Sequence, residues 1–114
     1  MALLQATYRD AGAVTVLDLS GRITLGEGSA LLRSTIRELL ADQRVRILVN
    51  LGDINYIDSS GIATLIEVLK RSQHLKKEFV LFGLSPAVQE VFRLTHVIRI
   101  FRVFDTEQEA LEAA

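Results

Sequence analysis

The apolar run Ile47-Leu48-Val49-Asn50-Leu51 constrains this chain more than any other stretch, because it is continuous rather than alternating. A strand with one wet face alternates polar and apolar residues. A continuous run instead suits a strand covered on both faces or placed centrally in a sheet. After it, Ile62 to Gln73 has helical periodicity, with Ile62, Leu65, Ile66 and Leu69 on one side. The polar tetrad Asp58-Ser59-Ser60-Gly61 stands just ahead of that helix. A strand, a short polar loop and a helix start therefore meet at two adjacent serines.

The physics of such a junction favours an anion. The first turn of a helix has N–H groups without partners and a partial positive charge. A phosphate placed there finds donors already in position. On a helical wheel Ser60 falls opposite the apolar side, together with Thr64, Glu67 and Arg71. Asp58 and Ser59 precede the helix, where capping side chains sit, so Ser60 is the hydroxyl expected to be displayed. Capping is the competing assignment, since Asp and Ser oxygens commonly accept the orphan N–H bonds of a helix start. The two are compatible when Asp58 or Ser59 caps and Ser60 is displayed.

Taken in order, the rest of the chain alternates. Leu3–Arg9 and Ala13–Leu19 read as a hairpin around Asp10-Ala11-Gly12. Thr24 and Glu27 have capping-box spacing. The helix they open has a stripe of Leu31, Leu32, Ile36 and Leu39 and ends near Asp42, with Arg33, Arg37 and Glu38 outside the stripe. Val45–Leu51 is the central strand, and the junction and second helix follow. Lys76-Lys77-Glu78 reads as a solvated connection and Phe79–Leu84 as a further strand. Ser85 caps a helix that has Pro86 at its first position; Ala87, Val88, Val91 and Phe92 form its apolar face. Ile98–Phe104 is a last strand, with Arg99 and Arg102 marking an edge. Asp105 and Gln108 then cap a final helix that packs through Ala110 and Leu111. The order ββαβαβαβα predicts one α/β domain over 1–114, with a mixed, mainly parallel sheet and about four helices.

Composition removes several functions. The 13 basic and 14 acidic residues nearly cancel, so no overall field draws nucleic acid or an anionic membrane. Without cysteine there is no thiolate zinc site and no cysteine nucleophile. The opening residues lack a signal-peptide pattern and no apolar run approaches a membrane span, so a cytoplasmic location is expected. His74 and His96 lie in separate elements without a partner at ligand spacing, and no metal site is expected. Neither glycine-rich phosphate motif occurs, and Gly26 with Gly28 is better read as a flexible helix entry. Ser60 is not in a G-x-S-x-G elbow. Asp53 follows an apolar strand as the phosphorylated residue of a receiver domain does. Asp10 and Asp18, however, do not form the adjacent acidic pair that such a site needs, and the last strand carries arginines.

The hairpin with Gly21, the segment Asn50 to Gly61, Leu84-Ser85-Pro86-Ala87-Val88 and the acidic, alanine-rich last helix together resemble the STAS domain family. Within it they resemble the bacterial anti-sigma factor antagonists, and Tyr56-Ile57-Asp58-Ser59-Ser60-Gly61 is the most specific part. The resemblance implies a STAS-like fold and a binding module rather than an enzyme, with no cofactor of its own. It implies that Ser60 is phosphorylated, within the motif Asp58, Ser59 and Gly61, by an anti-sigma factor with the ATP-binding serine kinase fold. The unmodified form would bind that kinase and release a sigma factor, and a metal-dependent serine phosphatase would restore it. Thr24 and Gly26 ahead of the first helix, and Ala63, Thr64, Glu67 and Arg71 on the second, would meet the partner. A monomer or weak dimer is expected. Two positions depart from the family pattern: Thr24 stands where many antagonists have an acid, and Ala63 where many have a second glycine. The alternatives are a STAS module of a stress-sensing complex or lipid transporter, and, ranked last, a hydrolase using Ser60 or Asp58.

Overall fold

The computed structural model describes residues 3–113. Strands β1 (Leu4–Ala11) and β2 (Val14–Ile23) form an antiparallel hairpin closed around Gly12 and Ala13. Helix α1 (Glu27–Ala41), β3 (Arg46–Ile57), α2 (Ser59–His74), β4 (Glu78–Phe82), α3 (Pro86–Leu94), β5 (Arg102–Phe104) and α4 (Glu107–Glu112) follow. The sheet order is β1-β2-β3-β4-β5, and every pair after the hairpin is parallel. Each parallel link crosses over through a helix, as the alternation requires.

The continuous run in β3 has the predicted cause. Ile47, Leu48 and Val49 are all fully buried because both faces of the sheet are covered. Leu17, Leu19, Ile47, Val49, Phe79 and Leu81 pack under Leu32 and Ile36 of α1, Leu65 and Val68 of α2, and Val88 and Phe92 of α3. Val16, Leu48, Val80 and Phe82 face the other way, against Ala110 of α4. That short helix is clasped at both ends. Arg9 donates to Asp18 at 2.8 Å and to Glu107 at 2.5 and 3.0 Å, while Arg46 donates to the Ala110 carbonyl at 2.6 Å.

Several boundaries differ from the sequence expectation, each for a local reason. The predicted Ile98–Phe104 strand is a 3-10 turn at Val97–Arg99 followed by a three-residue strand. Val97 and Phe101 enter the core four residues apart, at helical spacing, and the Phe101 ring stacks on Phe92 at 5.7 Å. Thr106 rather than Asp105 caps α4: its hydroxyl accepts from Glu109 N, so the capping pair lies one residue later than Asp105 and Gln108. Thr24 does not cap α1. Gly26 occupies that position at φ 95°, a conformation that a side chain would strain. Leu31 and Ala87 lie outside their apolar faces, and Leu40 is buried on α1 instead. Lys77 is not a free loop cation, since its ammonium donates to the Leu40 and Asp42 carbonyls at the end of α1. Residues 1, 2 and 114 of the expected domain lie outside the described residues.

The strand β3 runs six residues beyond Leu51, through Ile57, and this extension positions the junction. Its end pairs with the end of β2, Arg22 with Tyr56 and Ile23 with Ile57. Asp58 N donates to the Ile23 carbonyl at 3.2 Å. Helix α2 then begins directly against β2, which only a glycine at 61 allows. A Cβ there would lie 2.6 Å from the Ile23 carbonyl oxygen and 2.8 Å from Ile57 Cγ1. Gly61→Ala is therefore expected to destabilise the domain by about 1–3 kcal/mol, the usual cost of overpacking. Urea unfolding would show a lower midpoint at unchanged slope; an unchanged midpoint would mean that this contact relaxes freely.

Candidate phosphoacceptor site

The site is assembled at the carboxyl ends of β2 and β3, where ligand-binding crevices of open α/β sheets commonly lie. Asp58 is its organising side chain. One carboxylate oxygen, Oδ1, accepts from Gly61 N at 3.0 Å and from the Ser60 hydroxyl at 2.8 Å. The other, Oδ2, accepts from Leu25 N at 3.1 Å. Asp58 thus caps α2 and ties the Thr24–Gly26 loop to it. Burial, the largest single influence on this carboxyl, pushes its pKa up. The donors Gly61 N, the Ser60 hydroxyl, Leu25 N and Ser60 N outweigh it and hold the group below its ordinary value.

The two serines are placed differently from the wheel argument. Ser59 is the first residue of α2 and its side chain is exposed. Ser60 is half-buried, its hydroxyl held between Asp58 and Ser29 Oγ, which lies 3.3 Å away on α1. Thr64 does not face outward. It is 1% exposed and its hydroxyl donates to the Ser60 carbonyl at 3.0 Å. The reason is α1, which packs along the side of α2 that the wheel left open.

Of the other expected site residues, Gly26 is exposed and Thr24 half-buried, its carbonyl accepting from Ser29 N and Oγ. Ala63, Glu67 and Arg71 lie on the exposed face of α2, where Glu67 meets Arg33 at 2.8 Å and Arg37 at 3.5 Å. Leu25, Ser29 and Arg33 also border the site, although the sequence did not single them out for it. Leu25 is 80% exposed, an apolar side chain offered to solvent beside Asp58. The signal for the other two was their four-residue spacing on α1, which repeats that of Ser60 and Thr64 on α2. A groove of about 770 Å³ lies between α3 and β5, lined by Leu84, Pro86 and Val103 and distinct from this surface. Among the described residues no cluster of His, Asp or Glu could hold a metal ion, and no helix is long and apolar enough to cross a membrane.

Known proteins place this arrangement. The family model "STAS domain" matches residues 5–110. The chain belongs to the STAS domain family. Its relatives include BtrV of Bordetella bronchiseptica, named provisionally as an anti-sigma factor antagonist, at 34% identity over 68 residues. That match covers 60% of this chain and 59% of BtrV. Among solved structures, an anti-sigma factor antagonist from Mycobacterium paratuberculosis superposes with a TM-score of 0.83 at 22% identity, covering 96% of this chain and 92% of that one. The SpoIIAA antagonist matches in its unphosphorylated form with a TM-score of 0.77 at 19% identity, covering 95% of this chain and 94% of that one. The phosphorylated form of SpoIIAA, from Bacillus, matches with a TM-score of 0.71 at 18% identity, covering 95% and 97%. These likenesses establish the STAS fold: one α/β domain with a mixed sheet and four helices.

Removing the Asp58 carboxylate should weaken the junction. Asp58→Ala is expected to cost about 1 kcal/mol at neutral pH, the usual loss for an N-cap. Because the folded pKa is depressed, this stability is complete above the unfolded value of about 4 and is lost as pH falls through the lower folded value. Thermal unfolding of parent and variant should therefore converge as the medium is acidified. A gap that persists unchanged in acid would contradict the role of the charge.

Proposed function

We propose that this STAS domain is an anti-sigma factor antagonist switched by phosphorylation of Ser60. The observation that carries the reading is the Ser60 hydroxyl, set at the start of α2 and hydrogen-bonded to Asp58 at 2.8 Å. The names of the relatives support it, as does the existence of SpoIIAA structures in both phosphorylation states. In this reading the unmodified domain binds an anti-sigma factor of ATP-binding serine kinase fold in the cytoplasm and thereby frees a sigma factor. The exposed side chains of Leu25, Ala63, Glu67 and Arg71, with the Thr24–Gly26 loop, make up the contact surface.

The kinase transfers the γ-phosphoryl group of ATP to Ser60 Oγ. The new P–O bond forms as the bond to ADP breaks, and the hydroxyl proton passes to water, directly or by way of a carboxylate. Asp58 is a weak base for that proton, but a loose phosphoryl-transfer transition state makes little demand on one. ATP and Mg²⁺ arrive with the partner, and a metal-dependent serine phosphatase later hydrolyses the ester. The phosphate adds roughly −1.5 to −2 charges. Within the free domain the helix N-terminus offsets part of that charge, so the fold is retained. At the interface it meets the partner as a bulky anion, and a penalty of about 3 kcal/mol weakens binding more than a hundredfold.

Binding to an anti-sigma kinase from the same cells tests the reading. Ser60→Asp should bind at least a hundredfold more weakly than the parent. Ser60→Ala should bind, yet take up no phosphate from ATP. Equal binding by parent and Ser60→Asp, or continued phosphorylation of Ser60→Ala, would overturn it.

A further inference from the structure

The seam between α1 and α2 is polar where it approaches Ser60. Ser29 and Arg33 lie one turn apart on α1 and face Ser60 and Thr64, one turn apart on α2. Ser29 Oγ stands 3.3 Å from Ser60 Oγ. One turn along, Arg33 Nη2 donates to Thr64 Oγ1 at 3.4 Å, and that hydroxyl donates in turn to the Ser60 carbonyl. The guanidinium of Arg33 is thus two hydrogen bonds from the Ser60 backbone. Its Nε is engaged by Glu67 at 2.8 Å, in a pair whose side chains are 35% and 44% exposed. Such a pair is well screened and weakly held.

Resting on the reading of Ser60 as a phosphoacceptor, we propose that Arg33 is the built-in counter-cation of the phosphate. On modification its guanidinium leaves Glu67 and grips two phosphate oxygens, while the Ser29 hydroxyl turns from the Thr24 carbonyl, to which it donates at 2.8 Å, and donates to the phosphate instead. The need for a cation follows from Asp58. Esterification removes the proton that Ser60 donates to Asp58 Oδ1, so a stabilising contact of 2.8 Å becomes one between two acceptors. A dianion then sits beside a carboxylate that its other donors keep ionised, and the dipole of α2 supplies only about half a charge against it. Arg33 supplies a full one, in the planar fork that matches phosphate.

The direction of travel is also favourable. Long helical side chains lean toward the N-terminus of their own helix, which for Arg33 is the direction of Ser29 and Ser60. The shift required is about one turn, or roughly 5–6 Å. Glu67 keeps Arg37 as a partner at 3.5 Å, so the departure of Arg33 does not strand it. Glu67 nevertheless loses its closer cation on the exposed face of α2. Phosphorylation of Ser60 therefore makes that face more negative at a second point, one that the partner can read.

Titration of the phosphate by ³¹P NMR tests this without any partner, using full-length protein with phosphoserine encoded at position 60. The Asp58 carboxylate pushes the second phosphate pKa up from the value of about 6 for an unpaired phosphoserine, and Arg33 should pull it back down. Arg33→Gln should raise it by about one unit, and Arg33→Lys, which keeps the charge but not the fork, should fall between. Melting of the unphosphorylated variants checks that the fold is kept. The same phosphate pKa in parent and Arg33→Gln would overturn the inference even where phosphorylation still releases the kinase. A clear pKa difference in a protein whose Ser60 no kinase modifies would instead support the pairing while sinking the switch.

Discussion

The Asp58 carboxylate, shared among Leu25 N, Gly61 N and the Ser60 hydroxyl, is the interaction on which the junction between β3 and α2 depends. It fixes three things at once: where α2 begins, how the loop before α1 lies, and which way the Ser60 hydroxyl points. Packing of Gly61 against Ile23 and Ile57 brings α2 to the sheet, and the polar contacts of Asp58 add the cap, the tie to the loop and the direction of the hydroxyl. The donors to Asp58 hold its carboxyl below its ordinary pKa against the burial that opposes them.

Beneath this rim the sheet provides the rigidity. Burying Ile47, Leu48 and Val49 on both faces anchors β3, and the pairing of Ile23 with Ile57 brings β2 alongside the strand end that carries Asp58. Gly61 then lets α2 press against the Ile23 carbonyl. The side of α2 away from the sheet is divided. Ser60 and Thr64 turn toward α1, while Ala63, Glu67 and Arg71 remain in water. In the proposed function, the exposed helix face is what the partner contacts and the hydroxyl in the polar seam is what it modifies.

Much of this was legible in the sequence. The continuous apolar character of Ile47–Leu51 marked the central strand, the Ser85-Pro86 pair marked the start of α3, and the Asp-Ser-Ser-Gly tetrad marked the junction. What escaped notice was tertiary. A helical wheel shows which side of α2 is apolar, but not that α1 covers part of the remainder, so Thr64 was expected outward and is buried. Arg33 and Ser29 read as ordinary polar residues because their meaning lies in the register between two helices. The last strand was overestimated since Ile98 and Ile100 have strand-like composition, yet Val97 and Phe101 are the residues that the core takes. Thr106 and Asp105 are both good caps, and their order along the chain could not decide between them.

The central claim is that Ser60, not its more exposed neighbour, is the residue that carries regulation. Site mapping by tandem mass spectrometry, on protein isolated from its own cells with phosphatases inhibited, tests it most directly. The account predicts phosphate on Ser60 under at least one growth condition, with Ser59 unmodified. Phosphate confined to Ser59 would contradict it, and would mean that exposure rather than the Asp58 hydrogen bond selects the acceptor.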